Sequence, residues 1–247
     1  MPLSVLALLI ACAKDPGSST APAGPKAAPA HRDTTAPTPG SSCPMIAFVP
    51  HVSAARDAIL KNDASLIEVE MGWMAASGAL PADLTPPVTS GAGAVANPEE
   101  AEVSRAAALF LGELGVACGD CHAGHGPSLS EIEAAGSATG VLPHMHRHLW
   151  ATDRMWEGLM APSEARWNQG VALLSGMDLD PAQFEGRDEQ DSPAGYLTPW
   201  IRRIGLESLR TGDPEARGRL YGDLLATCAE CHAGTLGAPD PQHPLPR

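Results

Sequence analysis

The 247-residue chain has few aromatic residues, little positive charge and no long apolar run beyond its first residues. Aromatic residues make up only 4% of it, so stacked rings contribute little to its core. The chain contains 16 Lys and Arg and 29 Asp and Glu, which gives a net charge of −13. This balance excludes a protein that binds nucleic acid by neutralising phosphates, and it gives no support to a polybasic membrane patch. The apolar and polar alternation typical of strands is also absent, which favours helices.

The N-terminus carries an apolar segment, residues 1–11, that is too short to span a bilayer and ends in Leu-Ile-Ala before Cys12. This sequence resembles a bacterial lipobox. The resemblance implies removal of residues 1–11, lipid modification of Cys12 and attachment to a bacterial membrane, facing the periplasm. The alternative is an ordinary signal peptide or an apolar helix. Residues 12–44 are rich in Pro, Ala and Ser and predict a disordered tether, in which Cys43 is interpreted as an unpaired thiol.

The rest of the chain contains an internal repeat. Residues 111–124 read LGELGVACGDCHAG and residues 221–234 read YGDLLATCAECHAG. The match indicates two tandem copies of one unit, over 45–124 and 141–236. A linker is expected at 125–140 and a tail at 237–247.

Apolar residues recur at spacings of three and four, which predicts an all-α fold. Helices are expected over 45–62, 64–78 and 98–122 in the first copy, and over 144–160, 162–175, 194–210 and 213–233 in the second. The chain is therefore interpreted as two tandem helical-bundle domains of the four-helix kind, the first one abbreviated.

Both copies end in C-x-x-C-H, the spacing of covalent haem c attachment. On a helix the two thiols and the imidazole share one face, so both sulfurs can capture haem vinyl groups while the His binds iron. The alternatives are a redox-active dithiol, which expects a preceding strand, and a zinc site, which leaves each His unexplained. Two haem c groups are expected on these residues: Cys118, Cys121 and His122, and Cys228, Cys231 and His232.

Each motif lies on the last helix of its unit, and no Met follows His232. This position resembles the cytochrome c prime family, four-helix bundles that hold haem between their helices. The resemblance implies that any sixth iron ligand comes from the first helix of each unit. There the repeat places His51 and His148 at corresponding positions, within about one residue. Met45 and Met145 are rival ligands, and five-coordinate iron is a third possibility.

Several other polar residues near these helices have alternative interpretations. His144 and His148 lie one helical turn apart and could form part of a metal site, with no third ligand specified. His125 is interpreted as a loop residue. Arg56 and Arg154 could pair with haem propionates or steer peroxide, but solvated helix charges are the commoner case.

The expected function is one-electron transfer outside the cytoplasm by a membrane-anchored di-haem cytochrome, with a redox partner of basic surface. The sequence carries no separate catalytic motif. The alternatives are a protein that binds nitric oxide or carbon monoxide on five-coordinate iron, and a peroxidase with His51 or His148 as the acid/base group.

Replacing Cys12 with Ala should move the protein from the membrane fraction to the soluble fraction without changing its haem spectrum. The reason is that the tether separates the lipid from the folded part. Fractionation followed by immunoblotting measures this, and Cys43→Ala, in the same tether, is the control that should stay with the membrane. Continued pelleting of the Cys12 variant would show that lipid on this residue is not the anchor.

Overall fold

The computed structural model describes residues 44–77, 100–123, 129, 134–136, 141–176 and 193–236. The predictions for the signal segment, the tether with Cys12 and Cys43, His125 and the tail lie outside these residues. So does the loop that precedes the helix of the first motif. No helix among the described residues is long and apolar enough to cross a membrane.

The described residues form seven α-helices and no strand, which confirms the all-α prediction. The helices are α1 (Pro44–Leu60), α2 (Ala64–Ala76), α3 (Glu100–Ala123), α4 (Val141–Met160), α5 (Glu164–Gly176), α6 (Pro193–Ser208) and α7 (Pro214–Leu236). Each lies within a few residues of its predicted span.

Short polar residues define several of the helix ends. The side chain of Asp63 accepts a hydrogen bond from the backbone N–H of Leu66 at 3.1 Å and so caps α2. Asp213 accepts from the N–H of Ala216 at 2.7 Å, and Pro214 takes the first position of α7. Asp213 therefore caps α7, the helix that carries the second motif.

The two helices that carry the motifs, α3 and α7, pack against each other as a close antiparallel pair. Val116 faces Gly218, whereas Leu109, seven residues earlier, faces Gly222, so the two helices run in opposite directions. A Cβ on Gly112 would lie 2.1 Å from the carbonyl oxygen of Gly218, and one on Gly222 would lie 2.9 Å from Cα of Leu109. Only glycine permits this approach of two helix backbones.

The remaining helices follow the repeat. A short turn joins α1 to α2, and another joins α4 to α5. The two turns have the same length, because the first helices end at Leu60 and Met160 and the second helices begin at Ala64 and Glu164. These two hairpins flank the central pair. Helix α6 packs on α5 and α7 and has no counterpart among the described residues of the first copy.

Buried apolar side chains of the two copies form one cluster rather than two. Trp156 of α4 stacks on Tyr221 of α7 with ring centroids 5.5 Å apart. Helix α1 also meets α4 directly, since Nη2 of Arg56 lies 2.7 Å from Oδ1 of Asp153. The two copies therefore share a single core.

Replacing Gly112 with Ala should lower the free energy of unfolding by about 1–3 kcal/mol or more, because the added methyl group collides with the backbone of α7. Urea unfolding measures this. The control is Gly72→Ala in α2, where a Cβ meets nothing within 4 Å and better helix propensity should add about 0.5–1 kcal/mol. Equal stability of the two variants would contradict the close crossing of α3 and α7.

Candidate functional site

The first motif lies at the C-terminal end of α3, where the helix is continuous through Ala123. Cys118 is buried and Cys121 is exposed, so the two sulfurs lead from the core to the surface. Burial, followed by the neighbouring Cys121, raises the pKa of the Cys118 thiol to about 12. The buried thiol of Cys118 is therefore uncharged, which suits a site that holds an apolar group.

The second motif has the same arrangement on α7. Cys228 is buried and Cys231 is half-buried. Burial, with a smaller effect of Cys231, raises the pKa of Cys228 to about 12. Each motif thus presents one buried and one more accessible sulfur on the face that also carries its His.

The imidazole of each motif is oriented by a backbone carbonyl. Nδ1 of His122 donates to the carbonyl oxygen of Met160 at 2.7 Å, and Nδ1 of His232 donates to that of Leu60. A carbonyl can only accept, so Nδ1 carries the proton and Nε2 keeps its lone pair. A metal-binding His is held in this way when its outer nitrogen bonds to a carbonyl.

The two carbonyls come from the opposite copy in each case. His122 of the first copy bonds to the end of α4 in the second, and His232 of the second copy bonds to the end of α1 in the first. Because α3 and α7 are antiparallel, the motifs lie at opposite ends of the pair. A single zinc site built from both motifs is therefore excluded. Among the described residues no three His, Cys, Asp or Glu side chains gather as a site for a metal ion alone.

His148 lies in the N-terminal half of α4, on the side of the second motif. Burial, with smaller repulsive contributions from His144, His232 and Arg147, lowers its pKa to about 3. His148 is consequently a neutral imidazole, the form that binds a metal.

His144 lies one turn before His148, with ring centroids 4.4 Å apart. It is 3% exposed, and its Nε2 is buried without a hydrogen-bond partner among the described residues. Burial lowers its pKa as well, with a contribution from Arg147. Because an unpaired buried nitrogen is costly, this atom is a second candidate ligand beside the second motif.

His51 is held in a different way. Its Nδ1 lies 2.5 Å from Oε2 of Glu70, and its ring stacks on Trp73 with centroids 3.5 Å apart and planes 12° apart. Phe48 also contacts Trp73, with ring centroids 6.3 Å apart. This group lies where α1 packs on α2.

The position of His51 along the bundle follows from the turn after α1. Asn62 accepts a hydrogen bond from the hydroxyl of Ser104, near the start of α3, at 2.6 Å. The C-terminal end of α1 therefore lies near the start of α3, and its N-terminal part lies further along α3, in the direction of Cys118. At 1.5 Å per residue, His51 lies about 14 Å back along α1 from Leu60, and Cys118 lies about 21 Å along α3 from Ser104. His51 is thus on the side of the first motif.

The ends of α1 and α4 change the predicted correspondence of the two histidines. Counted back from Leu60 and Met160, His148 corresponds to Phe48, and His51 corresponds to Ala151. The predicted alignment of His51 with His148 is therefore three residues off, nearly one helical turn. The turns after the helices, and not the identity of the two His residues, set the register.

The remaining sequence candidates are placed as follows. Met145 is half-buried on α4, and the side chain of Met45 lies outside the described set. The expectation that Arg56 and Arg154 are solvated is wrong, because both side chains are buried. Arg56 pairs with Asp153, and Nη2 of Arg154 bonds to Glu157 at 2.9 Å.

Sequence reasoning missed Glu70, Trp73 and the two orienting carbonyls. A signal for Glu70 was present, since an acid lies among apolar residues in Ile-Glu-Val-Glu-Met and has no counterpart in the second copy. The carbonyls left no signal, because a backbone group carries no residue identity.

Comparisons with protein-family models, curated proteins and solved structures find no match to the chain. The residues of both sites nevertheless fit a covalently attached haem. Each offers two sulfurs on one helix face, an imidazole with Nε2 available, and a nearby face of another helix. The buried, unpaired Nε2 of His144 is an atom that a metal would satisfy.

Proposed function

We propose that the chain is a lipid-anchored, extracytoplasmic c-type cytochrome with two covalently attached haems and that it transfers single electrons. The observation that carries this proposal is the same site built twice. In each, a Cys pair and a His share the end of one helix, and a carbonyl holds the His with Nε2 available. An imidazole that binds a metal requires such orientation, whereas a redox-active dithiol does not require an oriented His.

The protein's own residues would hold and shield the group in this proposal. Cys118 and Cys121, and Cys228 and Cys231, would form thioethers to the haem vinyl groups, while His122 and His232 would bind iron through Nε2. Haem, when bound, supplies a one-electron Fe(III)/Fe(II) couple. The buried inner sulfurs and neutral His148 give surroundings of low polarity, which tune such a couple.

Electron transfer is favoured over open-iron chemistry by imidazoles that lie on the same side of the bundle as each motif. His51 on one side and His148, with His144, on the other could each complete the coordination of one iron. The competing function is a peroxidase or a gas-binding protein, and the His51–Glu70 pair favours it if His51 stays off the metal, because a His held by a carboxylate suits acid/base work. The net charge of −13 supports a redox partner with a basic surface.

Acid-acetone extraction should leave haem on the polypeptide of the protein matured by an exporting host, because thioethers survive this treatment. Cys→Ala at 118 and 121 should remove one haem of two, and the same change at 228 and 231 should remove the other. A pyridine haemochrome assay counts them. Complete extraction of haem from the unmodified protein would end the c-type proposal.

If His51 and His148 bind iron, both haems should be low-spin at rest and slow to bind carbon monoxide when reduced. Replacing either His with Ala should convert one haem of the two to a high-spin, rapidly gas-binding form. Absorption spectra and stopped-flow mixing measure both properties. His146→Ala, an exposed neighbour on α4, is the matched control and should change nothing.

Three other outcomes are informative. High-spin iron at both sites of the unmodified protein would favour the gas-binding or peroxidase alternatives. A low-spin second haem that survives His148→Ala but not His144→Ala would move the ligand one turn along α4. A low-spin first haem that survives His51→Ala would move that ligand to Met45 or another helix.

A further inference from the structure

We propose that Glu70, acting through His51, makes the first haem the harder of the two to reduce. The inference rests on the proposed function, since it assumes haem at both motifs and His51 as a ligand of the first iron. It concerns a positioning residue, because Glu70 acts on the iron only through the imidazole. It also gives the duplicated sites different roles, with electrons held preferentially at the second.

The contact that carries the inference is short and shielded. The side chains of His51 and Glu70 are 15% and 6% exposed, and Nδ1 and Oε2 are 2.5 Å apart. A buried carboxylate close to an imidazole interacts with it more strongly than in water, because the local dielectric constant is low. The negative charge of Glu70 therefore acts directly on the imidazole of His51.

The geometry leaves Nε2 of His51 as the nitrogen that would bind iron. An ionised carboxylate only accepts hydrogen bonds, so Nδ1 carries the proton and Nε2 keeps its lone pair. The stacked Trp73 holds the plane of the ring. A carboxylate at Nδ1 makes the imidazole a stronger electron donor, which stabilises Fe(III) relative to Fe(II) and lowers the reduction potential.

The described residues of the second copy contain no equivalent of this pair. Counted from the start of the second helix of each hairpin, Gly170 takes the place of Glu70, and Ala151 that of His51. The space is also filled, since a Cβ on Gly170 would lie 2.4 Å from the carbonyl oxygen of Ala151. Within the described part of the chain no carboxylate bonds to the ring of His144 or His148, and Arg147 lies near both.

Spectroelectrochemical titration of the full-length haem protein tests the inference. The unmodified protein should titrate with two potentials. Glu70→Gln, which keeps the shape but removes the charge, should raise the lower potential by about 59 mV, a tenfold change for a one-electron couple. The higher potential should not move. The affected haem must be the one that His51→Ala converts to high spin.

Asp63→Asn is the matched control, because it alters another acid of the same hairpin that caps α2 without touching His51. It should leave both potentials unchanged even if it lowers stability. Unaltered potentials in Glu70→Gln, or an equal shift in Asp63→Asn, would overturn the inference. The proposed function would still stand as long as both haems were present, and it would fail separately if the chain carried none.

A second measurement does not depend on a Glu70 variant that folds. In His148→Ala the haem that remains low-spin is the first, and its potential should be the lower of the two in the unmodified protein. If it proves to be the higher one, the inference is wrong.

Discussion

The close antiparallel contact of α3 and α7 is the constraint on which the rest of the structure depends. Gly112, Gly218 and Gly222 let two helix backbones approach to a distance that any side chain would prevent. Because the helices run in opposite directions, their C-terminal motifs lie at opposite ends of the pair. Each motif can then reach the first helix of the other copy.

This exchange links the two copies around the single core that they share. The carbonyls of Leu60 and Met160 orient His232 and His122 across the copies, and the Arg56–Asp153 ion pair links α1 to α4. Neither copy contains all the groups of its own site. A haem that binds only the folded chain would stabilise both copies together, since binding to the native state shifts the folding equilibrium.

The sequence predicted the helices well because their local signals agree with one another. The apolar spacing, the cap at Asp213 and Pro214 at the first position of α7 all point to the same boundaries. The motifs were equally visible, because five consecutive positions define each of them. The register of His51 against His148 could not be predicted from the sequence, because it depends on where α1 and α4 end. The pairing of His51 with Glu70 joins two helices across nineteen positions, and no local pattern encodes such a contact.

The central claim, that one chain holds two thioether-bound haems, is tested most directly on the intact protein. Mass spectrometry of the denatured full-length chain, purified from a host that exports it and attaches haem, counts groups that remain covalently bound. The account predicts two haems on every mature chain, with two irons per native protein by metal analysis. A chain at its bare polypeptide mass, or one that carries zinc in place of haem, would contradict it.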